Sequence, residues 1–295
     1  MTGSDSVKMI GVEERDHGGI HIVRLHYSAD PEKRSACWLA AAKEGYPGER
    51  MWRREMEIDW TIASGLPVYA DEFVRDWHVA REALSAHPKL PIYRGFDFGL
   101  SPACVWAQVD TMGRINVIAE HVTWTGRGDM RQLGIERFAP EVIRLSNEWF
   151  PSMEREGKTE FIDYADPAGW SKAQTDERTC IEILQAKGIH PRKGPVTFTA
   201  RRRAMTECLG QAIGGRAKLL ISPDCSMLIE GFQGAYRFEQ IGETGRYRED
   251  VEKNAWSHPM DALEYVVGGI FGAMKHEDKR NRRGRVGRPE RVTGY

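Results

Sequence analysis

The 295-residue chain has no apolar run approaching the roughly 20 residues that a membrane-spanning helix needs. Its first residues, MTGSDSVKMIGVEERDHGG, lack the basic start and apolar stretch of a secretory signal, so neither a membrane segment nor export is expected. Cysteine is scarce. Cys37, Cys104, Cys180, Cys208 and Cys225 are widely spaced and form no CxxC pair, which argues against zinc, dithiol redox chemistry or a disulfide framework. They read as reduced thiols that pack in the interior. A GxxxxGK phosphate loop ending in Ser or Thr is absent, and neither GQAIGGRAK nor HPRKGPVT fits it. Nor does one charge dominate: the formal net charge is −1, so composition does not announce a nucleic-acid partner and the distribution of charge has to speak instead.

What is present is a globular composition, 41% hydrophobic and 29% charged, in a chain long enough for one large α/β domain with an extension. Residues 1–90 carry few alternating apolar runs; two helices are expected near 35–45 and 48–57, and the region reads as a linker or accessory part. From Ile92 the pattern turns to strands. IYRGFDFG, ACVWAQVD and INVIAEHVTW are joined by short connections and predict an antiparallel meander. A helix over 130–150 follows, then the strand EFIDYA, a helix near 175–187 capped by Thr175 or Asp176, and the segment GIHPRKG. ARRRAMTECLGQAI reads as a helix, AKLLIS as a strand, CSMLIEGFQGAY as a helix and RFEQIGETGRYRED as a hairpin. The last strong helix runs from His258 to about Lys275. The order βββαβαβαβα spans 91–275. Beyond it a basic tail, 276–295, is expected to be disordered.

Three acids sit at notable places in this order. Asp97 closes an apolar strand in GFDFG, Asp166 ends EFIDYA just before Pro167, and Asp261 lies in the first turn of the helix that Ser257 caps and Pro259 opens. Each has an ordinary explanation alone: a solvated strand end, a turn-forming Asp-Pro, a helix-start acid favoured by the macrodipole. Asp163 competes with Asp166 because it lies on the same strand, but it points to the opposite face. His258, one turn before Asp261, is placed at the margin of the group. Glu136 and Glu141 on the first long helix are further acids of the kind that is ordinarily solvated.

GFDFG followed by PACVWAQVD, YADPAG followed by an amphipathic helix, and KNAWSHPMDALEYV before a basic end together resemble the nuclease domain of the large terminase subunit of tailed bacteriophages, an RNase H-like family. The resemblance covers about residues 66–273. It implies an α/β fold with a mixed central sheet, antiparallel in its first three strands and flanked by helices. It also implies that Asp97, Asp166 and Asp261 hold two Mg²⁺ or Mn²⁺ ions for phosphodiester hydrolysis, with Asp163 as a possible alternate ligand. Neighbouring carboxylates repel one another unless a hard cation sits between them, so the chemistry agrees with the assignment.

The implied substrate is double-stranded viral DNA, cut during genome packaging in the cytoplasm of the bacterial host. Arg201, Arg202, Arg246, Arg248 and Lys253 are the candidate phosphate contacts; Arg192, Lys193 and Arg203 are further basic residues around the core. Trp170 and Trp256 read as packing residues. With no phosphate loop, the packaging ATPase is expected on a separate or removed part, with a small terminase subunit and a portal as partners; LHYSADPEKRSACW and WRREMEIDW resemble the stretch that joins motor to nuclease. Two other readings stay open from the residues: a docking module without catalysis, and another RNase H-like nuclease such as a junction resolvase or an RNA-hybrid nuclease.

Overall fold

The computed structural model describes residues 10–17, 19–45, 52–53, 55–58, 65–99, 101–124, 131–151, 160–172, 178–241 and 246–285, from 273 onward as backbone alone. Its contacts divide the chain into two units, Met1–Ser64 and Gly65–Tyr295. Composition had put this change near residue 90. The boundary is earlier because Val68 and Tyr69 are buried in the core of the second unit.

In the first unit a hairpin of β1 (Val12–His17) and β2 (Ile20–Leu25) precedes the helix α1 (Ala36–Glu44). Ser35 caps α1 by accepting from the backbone N–H of Trp38 at 3.2 Å. The Glu57 carboxylate gathers Trp52 Nε1 at 3.0 Å, His26 Nε2 at 3.0 Å and the Tyr27 hydroxyl at 3.2 Å. Of the helix expected over 48–57, residues 52, 53 and 55 are helical, and 48–51 and 54 lie outside the described residues.

The second unit opens with a single turn, α2 (Arg75–His78), and then forms the meander β3 (Ile92–Asp97), β4 (Ala103–Val109) and β5 (Ile115–Val122). The helix α3 (Ile135–Trp149) leads to β6 (Phe161–Ala165), and α4 (Cys180–Ala186) leads to the short β7 (Arg192–Lys193). Thr179 caps α4 in a reciprocal box with Glu182; Thr175 and Asp176, the expected caps, lie outside the described residues. Next come α5 (Phe198–Leu209), a small hairpin of β8 (Ala212–Ile213) and β9 (Arg216–Ala217), and β10 (Leu219–Ile221). The helix predicted to reach Ile213 therefore stops at Leu209. Gly214 and Gly215, at φ 60° and 75°, supply the left-handed turn that only glycine adopts cheaply. The chain ends its described part with α6 (Ser226–Glu230), the antiparallel pair β11 (Phe238–Ile241) and β12 (Arg246–Val251), and the long α7 (Ser257–Arg285). This last helix passes Lys275 by ten residues, and HEDKRNRR contains no glycine or proline to stop it. Residues 286–295 lie outside the described residues.

Six strands form one sheet in the order β10-β5-β4-β3-β6-β7. The meander is antiparallel, whereas β10 on β5, β6 on β3 and β7 on β6 are parallel. Strand alternation sends Ala103, Val105 and Ala107 of β4 to the face covered by α5 and α7, and Cys104 and Trp106 to the face covered by α3 and α4. The sheet is thus sandwiched between two helical layers, each with its own apolar core.

Two close approaches set the geometry at the strand ends. At Gly95 of β3, a Cβ would stand 2.1 Å from the carbonyl oxygen of Ala262 on α7, so the helix rests on bare backbone there. On β5, Glu120 accepts the backbone N–H groups of Met227 and Leu228 at 2.8 and 2.9 Å, satisfying the first turn of α6. Burial, with a smaller contribution from the Glu230 charge, pushes the Glu120 carboxyl up to about 7 against those two hydrogen bonds.

Gly95→Ala is expected to destabilise the fold by about 1–3 kcal/mol in urea unfolding, because a backbone carbonyl cannot yield as a side chain does. A carboxyl whose folded pKa is raised binds its proton more tightly in the native state, so its contribution is full below the unfolded value and is lost as pH rises toward 7. Wild type should therefore lose about 2–3 kcal/mol relative to Glu120→Gln between pH 5 and pH 8, measured by urea denaturation of both proteins at each pH.

Candidate active site

β3 delivers Asp97 at its C-terminal end, on the face that α7 covers, the same face as Gly95. β6 runs parallel beside it, and the Asp166 N–H donates to the Phe96 carbonyl at 3.0 Å, so the two strands release Asp97 and Asp166 at one edge of the sheet. Asp166 is half-buried, and its Oδ1 accepts from the Ala168 N–H at 2.9 Å, capping the turn Pro167–Trp170. α7 supplies the third acid. Asn254 organises its start by accepting the N–H groups of Trp256 and Ser257 at 3.1 Å each, a role the sequence had suggested for Ser257. Asp261 then lies on the helix face turned to the sheet, 2% exposed.

The electrostatics of these acids differ. Asp97 is 5% exposed, and His258 donates from Nδ1 to its Oδ2 at 2.8 Å. Burial, reinforced by the charge of Asp261, pushes the Asp97 carboxyl up to about 7, although His258 and Lys253 pull the other way. Asp261 is instead surrounded by donors: Arg201 Nη1 at 2.9 Å and the Tyr236 hydroxyl at 2.8 Å on Oδ1, and Lys253 Nζ at 2.9 Å on Oδ2. The three acids share a neighbour in Tyr265. Burial holds its phenol above the ordinary tyrosine range, Arg201 opposes this, and the charges of Asp166, Asp261 and Asp97 add to it.

A fourth acid, absent from the sequence reading, belongs to this cluster. Glu264, one turn beyond Asp261, is fully buried; Tyr69 and Tyr236 donate to its Oε1 at 2.6 and 3.1 Å, and Arg201 Nη1 lies 3.1 Å from Oε2. Burial first, then the Asp261 charge, raise its carboxyl to about 8 against the pull of Arg201. The signal was available as two acids spaced i, i+3 on the apolar stripe of one helix. Among the described residues, no three His, Cys, Asp or Glu side chains are grouped closely enough to hold one metal ion as they stand. Internal cations take up the carboxylates.

Other sequence candidates are placed apart from the group. Asp163 lies on the opposite face of the sheet, in a two-point ion pair with Arg94 at 2.6 and 3.0 Å, and Arg94 also donates to Ser146 at 3.2 Å. Glu136 pairs with Arg178 and Lys187, and Glu141 with His121 and Arg131, on the α3 layer. Arg201, expected around the core as a phosphate contact, lies nearly buried in the acid cluster. The Arg202 guanidinium lies 5.4 Å from the Phe238 ring. Arg248 pairs with Glu239 at 3.1 Å, and Arg246 begins the exposed strand β12. Lys193 reaches over Trp170 at 5.2 Å, and Trp256 donates to Glu230 at 3.0 Å.

A mixed sheet in this strand order, with its antiparallel meander and helices on both faces, is an RNase H-like fold. Its fold is similar to that of solved large terminases. The large terminase of a thermophilic bacteriophage, in complex with ADP, superposes with a TM-score of 0.54 at 19% identity, over 82% of this chain and 54% of that one. A second crystal form of the same phage's protein gives 0.52 at 20% identity, over 82% and 53%. The P22 large terminase nuclease domain gives 0.49 at 11% identity, over 72% and 94%. The chain thus spans about half the length of the thermophilic phage terminase. No protein-family model and no curated protein matches it.

Removing Arg201 leaves two buried carboxylates facing each other without their shared cation. Arg201→Ala is expected to cost about 3–5 kcal/mol in urea unfolding, against less than about 0.5 kcal/mol for Arg203→Ala on the exposed side of the same helix.

Proposed function

We propose that this chain is a divalent-metal-dependent endonuclease that cuts double-stranded viral DNA during genome packaging. The observation that carries the reading is the meeting of Asp97 and Asp261 on one face of an RNase H-like sheet, with Asp166 released from the adjacent strand end. Two nearly buried carboxylates at a sheet edge are costly unless cations balance them, and hard oxygen donors beside one imidazole suit Mg²⁺ or Mn²⁺. The chemistry of the donors suits such ions, although the side chains would have to draw together around them; the His258 imidazole meets Oδ2 of Asp97.

Asp97, Asp166 and Asp261 would hold two ions. Bound there, such ions lower the pKa of an attacking water and stabilise the leaving oxygen of a phosphodiester. His258 fixes the Asp97 carboxylate through its Nδ1–H, and Asn254 fixes the start of α7 on which His258 and Asp261 are carried. Lys253, Arg202, Arg246 and Arg248 offer positive charge and would neutralise phosphates without reading bases. Residues 91–275 form the cutting part in this reading. The ATPase motor, the small terminase subunit and the portal are its partners, and the host cytoplasm is where it works.

The test is nicking and linearisation of supercoiled plasmid by the full chain in Mg²⁺ or Mn²⁺, compared with chelator. Asp97→Asn should lower the rate at least about 100-fold while the protein stays folded by circular dichroism. Undiminished cleavage by folded Asp97→Asn would sink the mechanism. Stronger cleavage of four-way junctions or RNA–DNA hybrids than of linear duplex would reassign the substrate.

A further inference from the structure

The two oxygens of Asp261 are held by cations of very different freedom. Oδ1 takes Arg201 and Tyr236, both carried on elements packed into the core: the Arg201 side chain is 11% exposed and Tyr236 is 1% exposed. Oδ2 takes Lys253, whose side chain is 72% exposed although its Nζ reaches to 2.9 Å. Arg201 has a second anchor in Glu264, at 3.1 Å, and its guanidinium also lies 4.8 Å from the Tyr265 ring. Glu264 in turn is fastened by the hydroxyls of Tyr69 and Tyr236.

From this asymmetry we infer that Lys253 is a built-in counter-ion at the metal position of Asp261, displaced when a divalent cation binds, while Glu264 retains Arg201 inside the protein. The inference rests on the metal-binding reading of the site and names residues that reading does not. Before metal arrives, the lysine ammonium occupies Oδ2 of an acid whose Oδ1 is already paired with Arg201. It does so cheaply, because an ion pair with one largely exposed partner is weak and its side chain can swing into solvent. Arg201 cannot leave in the same way. Its guanidinium is nearly buried, and the group that still anchors it when Asp261 turns to the metal is Glu264, 3.1 Å away. Glu264 is therefore a positioning residue: without that anchor, Arg201 would lean wholly on Asp261 and compete with the ion.

Mn²⁺ affinity of the full chain, read from the free-Mn²⁺ resonance in a titration by electron paramagnetic resonance, tests this without any cleavage assay. Lys253→Met should bind Mn²⁺ about threefold or more tightly than wild type, and Glu264→Gln should bind it more weakly. Arg248→Met removes one positive charge from the hairpin pair with Glu239 and controls for net charge; it should shift the affinity less than Lys253→Met. An affinity for Lys253→Met equal to or weaker than wild type, with wild type binding the ion, overturns the counter-ion role and leaves the metal reading standing. Failure of wild type and Lys253→Met alike to bind Mn²⁺ overturns both. If Glu264→Gln does not fold, Lys253→Met and its control decide the matter alone.

Discussion

The backbone of α7 lies directly against β3, with the Ala262 carbonyl where a side chain at residue 95 would have to be. That contact determines how far the helix can slide and turn, and Asp261 is the residue just before Ala262. Because Asp97 is two residues beyond Gly95 on the same face of the strand, the separation of the two acids follows from one glycine. Tyr69, Tyr236 and Arg201 converge on the same helix from three other segments, so the cluster is assembled from elements distant in sequence and held by a single packing plane.

Burial gives this cluster its character. Four acids within one layer of a protein cannot all remain charged without compensation, and the chain compensates them unequally. Asp261 receives two cations and a phenol, Glu264 shares one of those cations, Asp97 has an imidazole, and Asp166 remains at the rim with a backbone N–H. The result is uneven neutralisation, fullest at Asp261 and reduced to one hydrogen-bond partner each at Asp97 and Asp166.

Much of this was legible in the sequence. The meander could be read because its strands are apolar, short and separated by turn residues, and the order of Asp97, Asp166 and Asp261 along the elements matched a resemblance that implies the sheet's mixed arrangement. Glu264 escaped because an acid on an apolar helical stripe looks like an exposed residue until its partners are known, and those partners, Tyr69 and Arg201, are 195 and 63 positions away. The place of Arg201 beside Asp261 and Glu264 was hidden for a related reason. In RRR each residue turns about 100° from the last, so one of three identical side chains goes inward, and only the packing of α5 against α7 selects it. The hairpin around Gly214 and Gly215 carried its turn signal openly, but its first strand, Ala212–Ile213, was absorbed into the preceding helix.

Asp163 has a part to play although it stands behind the sheet. It pairs in register with Arg94 directly across from it on β3, and both are nearly inaccessible. Were β6 to shift by one residue against β3, every side chain on it would change faces, and the guanidinium and the carboxylate would each be stranded in an apolar layer. The ion pair thus acts as a gauge for strand alignment. It makes the misaligned sheet costly during folding, and so the location of Asp166 on the front is policed by a charge pair on the back.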